Sequence, residues 1–188
     1  MSRQYWAELI SWATADGTAV NTTTTETIIF PNVTIPANYM QDGRVLRLTA
    51  YGRWGNVITT VPTFIWALRW GGVSGTQIAA SGAIISPAAA TTAAQWQMDS
   101  IIQTRSNGSA GTVFTQGTIT MMEDTVATFG TVANYGLVQP MGSAGVTTPA
   151  AVTVDLTADT ALSFTIDFSA SDAANAVTGH IYLLESLN

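Results

Sequence analysis

The chain has 188 residues, of which 47% are hydrophobic and only 10% are charged, and its net charge is −6. Six basic residues against twelve acidic ones do not form the basic surface that duplex binding requires, which argues against a nucleic-acid function. Low charge combined with many β-branched residues predicts a folded domain. Much of its surface is expected to be shared with partners, because few charges remain to keep a monomer soluble.

The side chains on which most enzymes depend are scarce in this chain. It contains no cysteine and no lysine, and His180 is its single histidine. A disulfide, a zinc centre and a P-loop therefore lack their residues. Glu123 with Asp124, and Asp155 with Asp159, are carboxylate pairs of the kind that glycosidases use, but we expect them in solvated turns. His180 is expected in the core or in an interface. We predict a protein that is not an enzyme and that uses no cofactor and no metal.

Residues 1–25 differ from the remainder and are predicted to form an N-terminal arm. Tyr5, Trp6 and Trp12 give this segment an aromatic character. Two interpretations stay open: a strand that packs on its own core, or an arm that anchors on a neighbouring subunit through large, rigid side chains. The segment has no basic start followed by an apolar stretch, and no part of the chain has the roughly 18 apolar residues of a membrane span. We therefore expect assembly in a cytoplasm, without a membrane partner.

From residue 26 onwards, strand signals recur between turn residues. The clearest is 162–168, where apolar residues alternate with polar ones. Asn107-Gly108 predicts a hairpin turn, segment 88–94 is either a loop or a helical turn, and segment 139–149 is predicted as a flexible loop. The predicted strands are 26–30, 32–35, 44–54, 64–70, 76–81, 96–105, 112–122, 131–138, 151–156, 162–168 and 178–184.

Many short antiparallel strands without a helix of any length predict two packed sheets. The candidate architectures are a jelly roll, an immunoglobulin-like sandwich and a small barrel. The number and length of the strands favour the jelly roll. The prediction is an all-β chain: a jelly-roll β-sandwich of two antiparallel sheets over residues 26–188, with the extended arm before it.

Short motifs of Gly, Arg, Trp and Thr recur in two groups between residues 43 and 117. They are Gly43-Arg44-Val45-Leu46-Arg47, Tyr51-Gly52-Arg53, Leu68-Arg69-Trp70-Gly71-Gly72 and Gly75-Thr76, then Trp96, Thr104-Arg105-Ser106, Gly111-Thr112-Val113 and Gln116-Gly117. Together these motifs resemble a widespread group of small virion proteins of tailed bacteriophages. This resemblance implies a trimeric jelly-roll module that decorates or cements a capsid, or that belongs to a tail or fibre. It implies contacts with copies of itself and with the major capsid protein on the capsid exterior.

The arginines are the candidate interaction residues. Arg47 and Arg53 share one face of a predicted strand, and Arg69 and Arg105 end strands that carry the resemblance. They either keep strand edges soluble or pair with carboxylates of another subunit. Together with Tyr5, Trp6 and Trp12 they are the predicted interface residues.

The remaining tryptophans leave one rival function open. Trp54, Trp66, Trp70 and Trp96 are expected in the core, although stacking on sugars is the alternative, since jelly rolls also serve as lectins. The rival to a capsid protein is therefore a receptor- or glycan-binding tail module, and a carbohydrate-active enzyme is a more distant one.

Overall fold

The computed structural model describes residues 7–57, 59–87, 90–122, 136–146 and 149–188. These residues form thirteen strands and no helix. Accordingly, the described ranges contain no helix of the length and apolarity that crossing a membrane takes. The strands are β1 (Glu8–Trp12), β2 (Thr27–Ile28), β3 (Val33–Ile35), β4 (Val45–Asn56), β5 (Thr63–Trp70), β6 (Thr76–Ala80), β7 (Ile84–Ile85), β8 (Thr91–Ser106), β9 (Gly111–Met122), β10 (Gly136–Val146), β11 (Ala151–Val154), β12 (Thr160–Phe168) and β13 (Ala176–Ser186).

The strands pair into one antiparallel sheet that is not closed. The order along it is β1-β13-β4-β8-β9-β10-β6-β5-β12-β2, with β11 beside β9, β3 beside β12 and β7 beside β5. A single residue pair, Gly142 with Ala80, joins β10 to β6. This narrow join divides the sheet into a first half, from β1 to β10, and a second half, from β6 to β2.

An aromatic core lies between the two halves. The ring centroid of Trp96 on β8 is 4.8 Å from that of Trp66 on β5 and 5.7 Å from that of Phe164 on β12. Trp54 on β4 makes the same kind of contact with Phe64 on β5, at 5.5 Å. All five rings are buried. Because these rings come from opposite halves of the strand order, the halves pack face to face, and the hydrophobic effect of burying the rings stabilises that arrangement.

The all-β, antiparallel character predicted from the sequence is confirmed, while the jelly roll is not. The prediction was two packed antiparallel sheets, and the strands form one continuous path whose two halves pack face to face. The alternation predicted for segment 44–54 is present: Leu46, Leu48 and Ala50 are buried, and Arg47 and Arg53 are exposed.

Two local predictions need correction. Segment 139–149 was expected to be a loop, but residues 139–146 continue β10, where Pro140 lies opposite Thr118 of β9. Part of segment 88–94 is also strand, since β8 begins at Thr91. In both places small residues with weak strand propensity are held by the neighbouring strand, because pairing and burial override intrinsic preference in a sheet. Of the predicted strand 131–138, residues 131–135 lie outside the described residues.

The N-terminal segment runs along β13. β1 pairs with it from Glu8 opposite Ser186 to Trp12 opposite Leu183, with a bulge between Leu9 and Ser11. Further along, the backbone N–H of Gly17 donates to the carbonyl of Gly179 at 2.8 Å, and Val20 bridges Val177. The described part of the arm is therefore attached to its own sheet. Whether it also contacts another subunit stays a prediction, and Tyr5 and Trp6 lie outside the described residues.

Candidate functional site

The outward side of the first half presents a broad surface of side chains, which we call the outer face. Opposite partners in an antiparallel pair point to the same side of the sheet. The register therefore aligns Val138, Thr120, Gln97, Tyr51 and Ile181 in one row across β10, β9, β8, β4 and β13. The neighbouring row carries Asp99, Thr49, Leu183 and Trp12.

Five large apolar side chains lie exposed at one end of this face. They are 37–51% exposed and belong to the adjacent strands β1, β13 and β4. Single exposed apolar residues are common on soluble proteins, but a contiguous group of this size is typical of an interaction surface. We call the group the apolar patch; it consists of Leu9, Trp12, Tyr51, Ile181 and Leu183.

An ion pair lies next to the apolar patch. Nε and Nη2 of Arg47 donate to Oδ2 of Asp99 at 3.1 and 2.9 Å, and Oγ1 of Thr49 donates to the same oxygen at 3.2 Å. The hydrogen bond with Asp99 raises the pKa of Arg47. Both side chains are well exposed to solvent, and pairs of this kind contribute at most about 1 kcal/mol to stability. Arg47 is therefore free to change partner without loss of the fold.

Arg53 is held by a relay of hydrogen bonds. Its Nε donates to Nε2 of His180 at 2.8 Å, and Nδ1 of His180 lies 2.8 Å from Oδ1 of Asp16. An imidazole nitrogen that accepts a hydrogen bond cannot carry a proton, so the proton of a neutral His180 belongs on Nδ1, where it is donated to Asp16. The relay holds the guanidinium of Arg53 through Nε, and its two terminal nitrogens, Nη1 and Nη2, are not part of the relay.

A depression of about 590 Å³ opens on the outer face around Arg53. Its lining includes Tyr51, Gln95, Gln97, Thr120 and His180 in addition to Arg53, with the edge of Trp96 beneath. Trp96 approaches the backbone closely at Gly52, where a side chain would collide with the indole ring and with the carbonyl of Thr178. Its Nε1 donates to the carbonyls of Arg53 and Thr178 at 3.2 and 3.3 Å. The floor of the depression is thus rigid.

Arg69 lies on β5 in the second half, and Arg105 lies on β8 in the first half. Arg69 donates from Nε and Nη2 to the two carboxylate oxygens of Glu26, both at 2.6 Å, and from Nη1 to the carbonyl of Gly75 at 3.0 Å. This pair is 21% and 22% exposed. The guanidinium of Arg105 lies 5.1 Å from the ring centroid of Phe114. The structure therefore brings Trp12, Arg47 and Arg53 together on the outer face and places Arg69 in the second half.

The pKa values of two carboxylates near Arg69 are shifted in opposite directions. Burial alone would raise the pKa of Glu26, but hydrogen bonds from Arg69 and Thr165 and the charge of Arg69 outweigh it, so this pKa is lowered. Burial, together with the negative charge of Glu26, raises the pKa of Asp167. Oδ1 of Asp167 is buried without a hydrogen-bond partner within the described ranges.

Of the carboxylates singled out in the sequence, Asp155 and Asp159 each accept hydrogen bonds from other residues of the chain. Oδ1 of Asp155 accepts from the N–H and the hydroxyl of Thr157, and these hydrogen bonds lower its pKa. Asp159 accepts from the N–H of Ala37 at 2.8 Å. Asp155 therefore holds a local turn, whereas Asp159 links the segment before β12 to the segment after β3. Glu123 and Asp124 lie outside the described residues, and no group of three potential metal ligands occurs among the residues described.

Sequence analysis missed the Asp16–His180–Arg53 relay and the partners of Arg47 and Arg69. The sequence held one weak indication of the relay: His180 follows Gly179, whose carbonyl accepts a hydrogen bond from the N–H of Gly17. The bulge in β13 between Gly179 and Ile181 places the histidine beside β4, and a bulge of this kind has no reliable sequence signature.

Comparison with known proteins gives little further information. No protein-family model matches the chain, and no curated protein matches it. A solved structure to which the chain is similar is the CBM2 module of the evolved Dit of Lactobacillus casei BL23 phage J-1. The two share 9% sequence identity over 97% of each chain, with a TM-score of 0.35. Similarity at this level does not establish a common fold or a common site.

Proposed function

We propose that this chain is a structural protein of a tailed-phage virion, which decorates or cements the capsid from its exterior. The observation that carries the proposal is the apolar patch on the outer face. Leu9, Trp12 and Leu183 contribute nothing to the aromatic core in their exposed positions, and their exposure costs solubility. A partner that covers these side chains on binding would account for their exposure in the single chain. The phage assignment itself comes from the sequence resemblance.

The attachment is noncovalent on the side of this chain. A disulfide needs cysteine and an isopeptide crosslink needs a lysine amine, and the chain has neither residue. Burial of apolar surface contributes about 25 cal/mol per Å² before the cost of association. Many weak contacts repeated over one shell act together, so that each copy needs only a modest affinity.

The partners are other copies of the chain, in a homotrimer, and the major capsid protein. Closed cyclic symmetry is usual for assemblies of identical subunits, and the sequence resemblance favours three. Arg47 stands beside the apolar patch with an exposed partner, Asp99. It is therefore placed to exchange that carboxylate for one of a neighbour.

The test combines location with a surface variant. Virions of the phage that carries the gene are separated into heads and tails, and the chain is expected with the heads. In solution, light scattering should give three times the 19.8 kDa chain mass. The double variant Trp12→Ser/Leu183→Ser should dissociate or lose capsid binding. Ile85→Ser, at a position 77% exposed on β7 in the second half, is the matched control. A double variant that remains a trimer and still binds capsids contradicts the proposal, and recovery of the chain only with tails contradicts the capsid location.

A second candidate function is a receptor- or glycan-binding tail module, and the depression around Arg53 is what favours it. Pockets for small ligands usually measure about 300–1,000 Å³ and combine an aromatic side chain with a few oriented polar groups. Tyr51, Gln95 and Gln97 supply such a set. Binding to an array of immobilised glycans separates this function from a purely structural one.

A further inference from the structure

We infer that the depression is a binding site for an acidic saccharide, whose carboxylate pairs with Arg53. This inference rests on the second function proposed above and names its ligand class. It does not depend on the virion proposal. Three properties of the depression favour such a ligand: the available hydrogen-bond donors of Arg53, the charge of the lining and the polar groups around Arg53.

The guanidinium of Arg53 has one edge available. Nε is occupied by His180, whereas Nη1 and Nη2 have no hydrogen-bond partner among the residues that the structure describes. These two nitrogens form a fork that donates two parallel hydrogen bonds to the two oxygens of a carboxylate. Because His180 and Asp16 hold Arg53 at Nε, less conformational entropy is lost when a carboxylate binds.

The charge of the depression favours an anion. Arg53 is the one permanently charged side chain in the described lining, since the other polar members are amides, hydroxyls and a histidine. The nearest acid of the relay, Asp16, is separated from Arg53 by the imidazole of His180. An incoming carboxylate therefore meets a cation and no facing carboxylate of the described lining, although the chain as a whole is acidic.

The groups around Arg53 fit a sugar better than a simple organic acid. Gln97 lies opposite Tyr51 on one side and Thr120 on the other, so an amide stands between a phenol and a hydroxyl on one row. Gln95 lies opposite Arg53 itself. Each amide offers donors and an acceptor, which suits the hydroxyl groups of a sugar ring, and Tyr51 offers an exposed aromatic surface. The volume of about 590 Å³ exceeds what a small carboxylic acid occupies.

Asp16 and His180 act as positioning residues. His180 accepts the hydrogen bond from Nε of Arg53, and Asp16 lies against the opposite side of the imidazole. His180→Ala should therefore weaken binding of the acidic ligand more than binding of its neutral counterpart, because Arg53 loses the partner that orients it.

The experiment compares matched saccharides on the full chain. An array carries uronate-containing, sialylated and neutral oligosaccharides of equal length, and calorimetry measures the best acidic ligand against its neutral counterpart. We expect the acidic ligand to bind about ten- to a hundredfold more tightly, as a charge-assisted bidentate contact implies. Arg53→Gln should remove this preference, because it weakens binding of the acidic ligand far more than binding of its neutral counterpart.

Arg44→Gln is the control, because it removes the same charge just before β4, nine residues and about 30 Å from Arg53 at roughly 3.3 Å per residue. Thermal unfolding confirms that both variants are folded. Equal affinity for acidic and neutral ligands, or an acidic preference that survives Arg53→Gln, overturns the ligand class while glycan binding stands. Binding to no saccharide on the array overturns the glycan-binding function together with this inference.

Discussion

Phe30 is the side chain whose removal tests the face-to-face packing most directly. It precedes Pro31 in the second half, and its ring centroid lies 4.9 Å from that of Tyr182 on β13 and 6.3 Å from that of Phe164 on β12. It also rests on the backbone of Gly179, where any side chain would collide with the ring. Phe30→Ala therefore leaves a cavity between β12 and β13 that neighbouring backbone cannot fill.

The expected loss follows from the burial of the ring. Phe30 is 5% exposed, and burying a phenylalanine removes about 150–250 Å² from water. At about 25 cal/mol per Å² the upper limit of this contribution is about 4–6 kcal/mol. Measured losses for such truncations are about 3–5 kcal/mol, and we expect Phe30→Ala to fall in that range. For a domain of this size, each kcal/mol lowers the Tm by about 2–4 °C.

Urea unfolding followed by tryptophan fluorescence and circular dichroism measures this loss. The midpoint should fall with an unchanged slope, since the substitution alters stability and not the surface exposed on unfolding. Ile85→Ala, which truncates an exposed side chain, should stay within about 0.5 kcal/mol of the parent. A loss below about 1 kcal/mol for Phe30→Ala would show that the ring is not packed between the two halves.

Three further outcomes are expected. Because the pKa of Asp167 is raised, its ionisation costs stability above its folded pKa, and this cost disappears below the unfolded pKa of about 3.9; Asp167→Asn should therefore unfold at higher urea than the parent at pH 7 but not at pH 3. The pKa of Glu26 is lowered, so its pairing stabilises the fold above the unfolded pKa and is lost as the pH falls through the folded one. Arg69→Met should thus cost about 1–3 kcal/mol in urea unfolding at pH 7 and progressively less below pH 4, and a loss that is independent of pH would contradict the pairing. Boiling virions in detergent should release the chain as one band near 19.8 kDa, and a heat- and reductant-resistant ladder would contradict noncovalent attachment.

In the first half of the fold, the direction of the side chains was predictable from the sequence for strands that have one buried face and one solvent-exposed face. In β4 the alternation of apolar and polar residues fixed which side chains point outward, because a shift of one residue would place Arg47 and Arg53 in the core. The exposure of these two arginines therefore follows from the sequence. Their partners do not, since Asp99 and His180 reach them only through pairing with β8 and β13.

The path of the sheet was not predictable for a related reason. β10 consists largely of small residues and contains Pro140, which removes one hydrogen-bond donor from the strand. Nothing local specifies this segment as a strand, and its state depends on β9, which is itself strongly alternating. The join between Gly142 and Ala80 likewise depends on the two halves meeting. Such contacts between distant segments decide whether one sheet or two sheets form.

The ends of the sheet bear on how the protein can associate. An exposed edge strand is a template for strand addition, and proteins commonly protect it with lysines, which this chain lacks. One end is instead β2, which has two residues, and the other is β1, which has five residues and a bulge after Leu9. Short and irregular edges present few aligned N–H and C=O groups to another chain. The side chains of β1 are different, since Leu9 and Trp12 continue the apolar patch of β13 and β4. In the association that we propose, the outer face therefore uses the side chains of β1, while the backbone hydrogen bonds of β1 remain with β13.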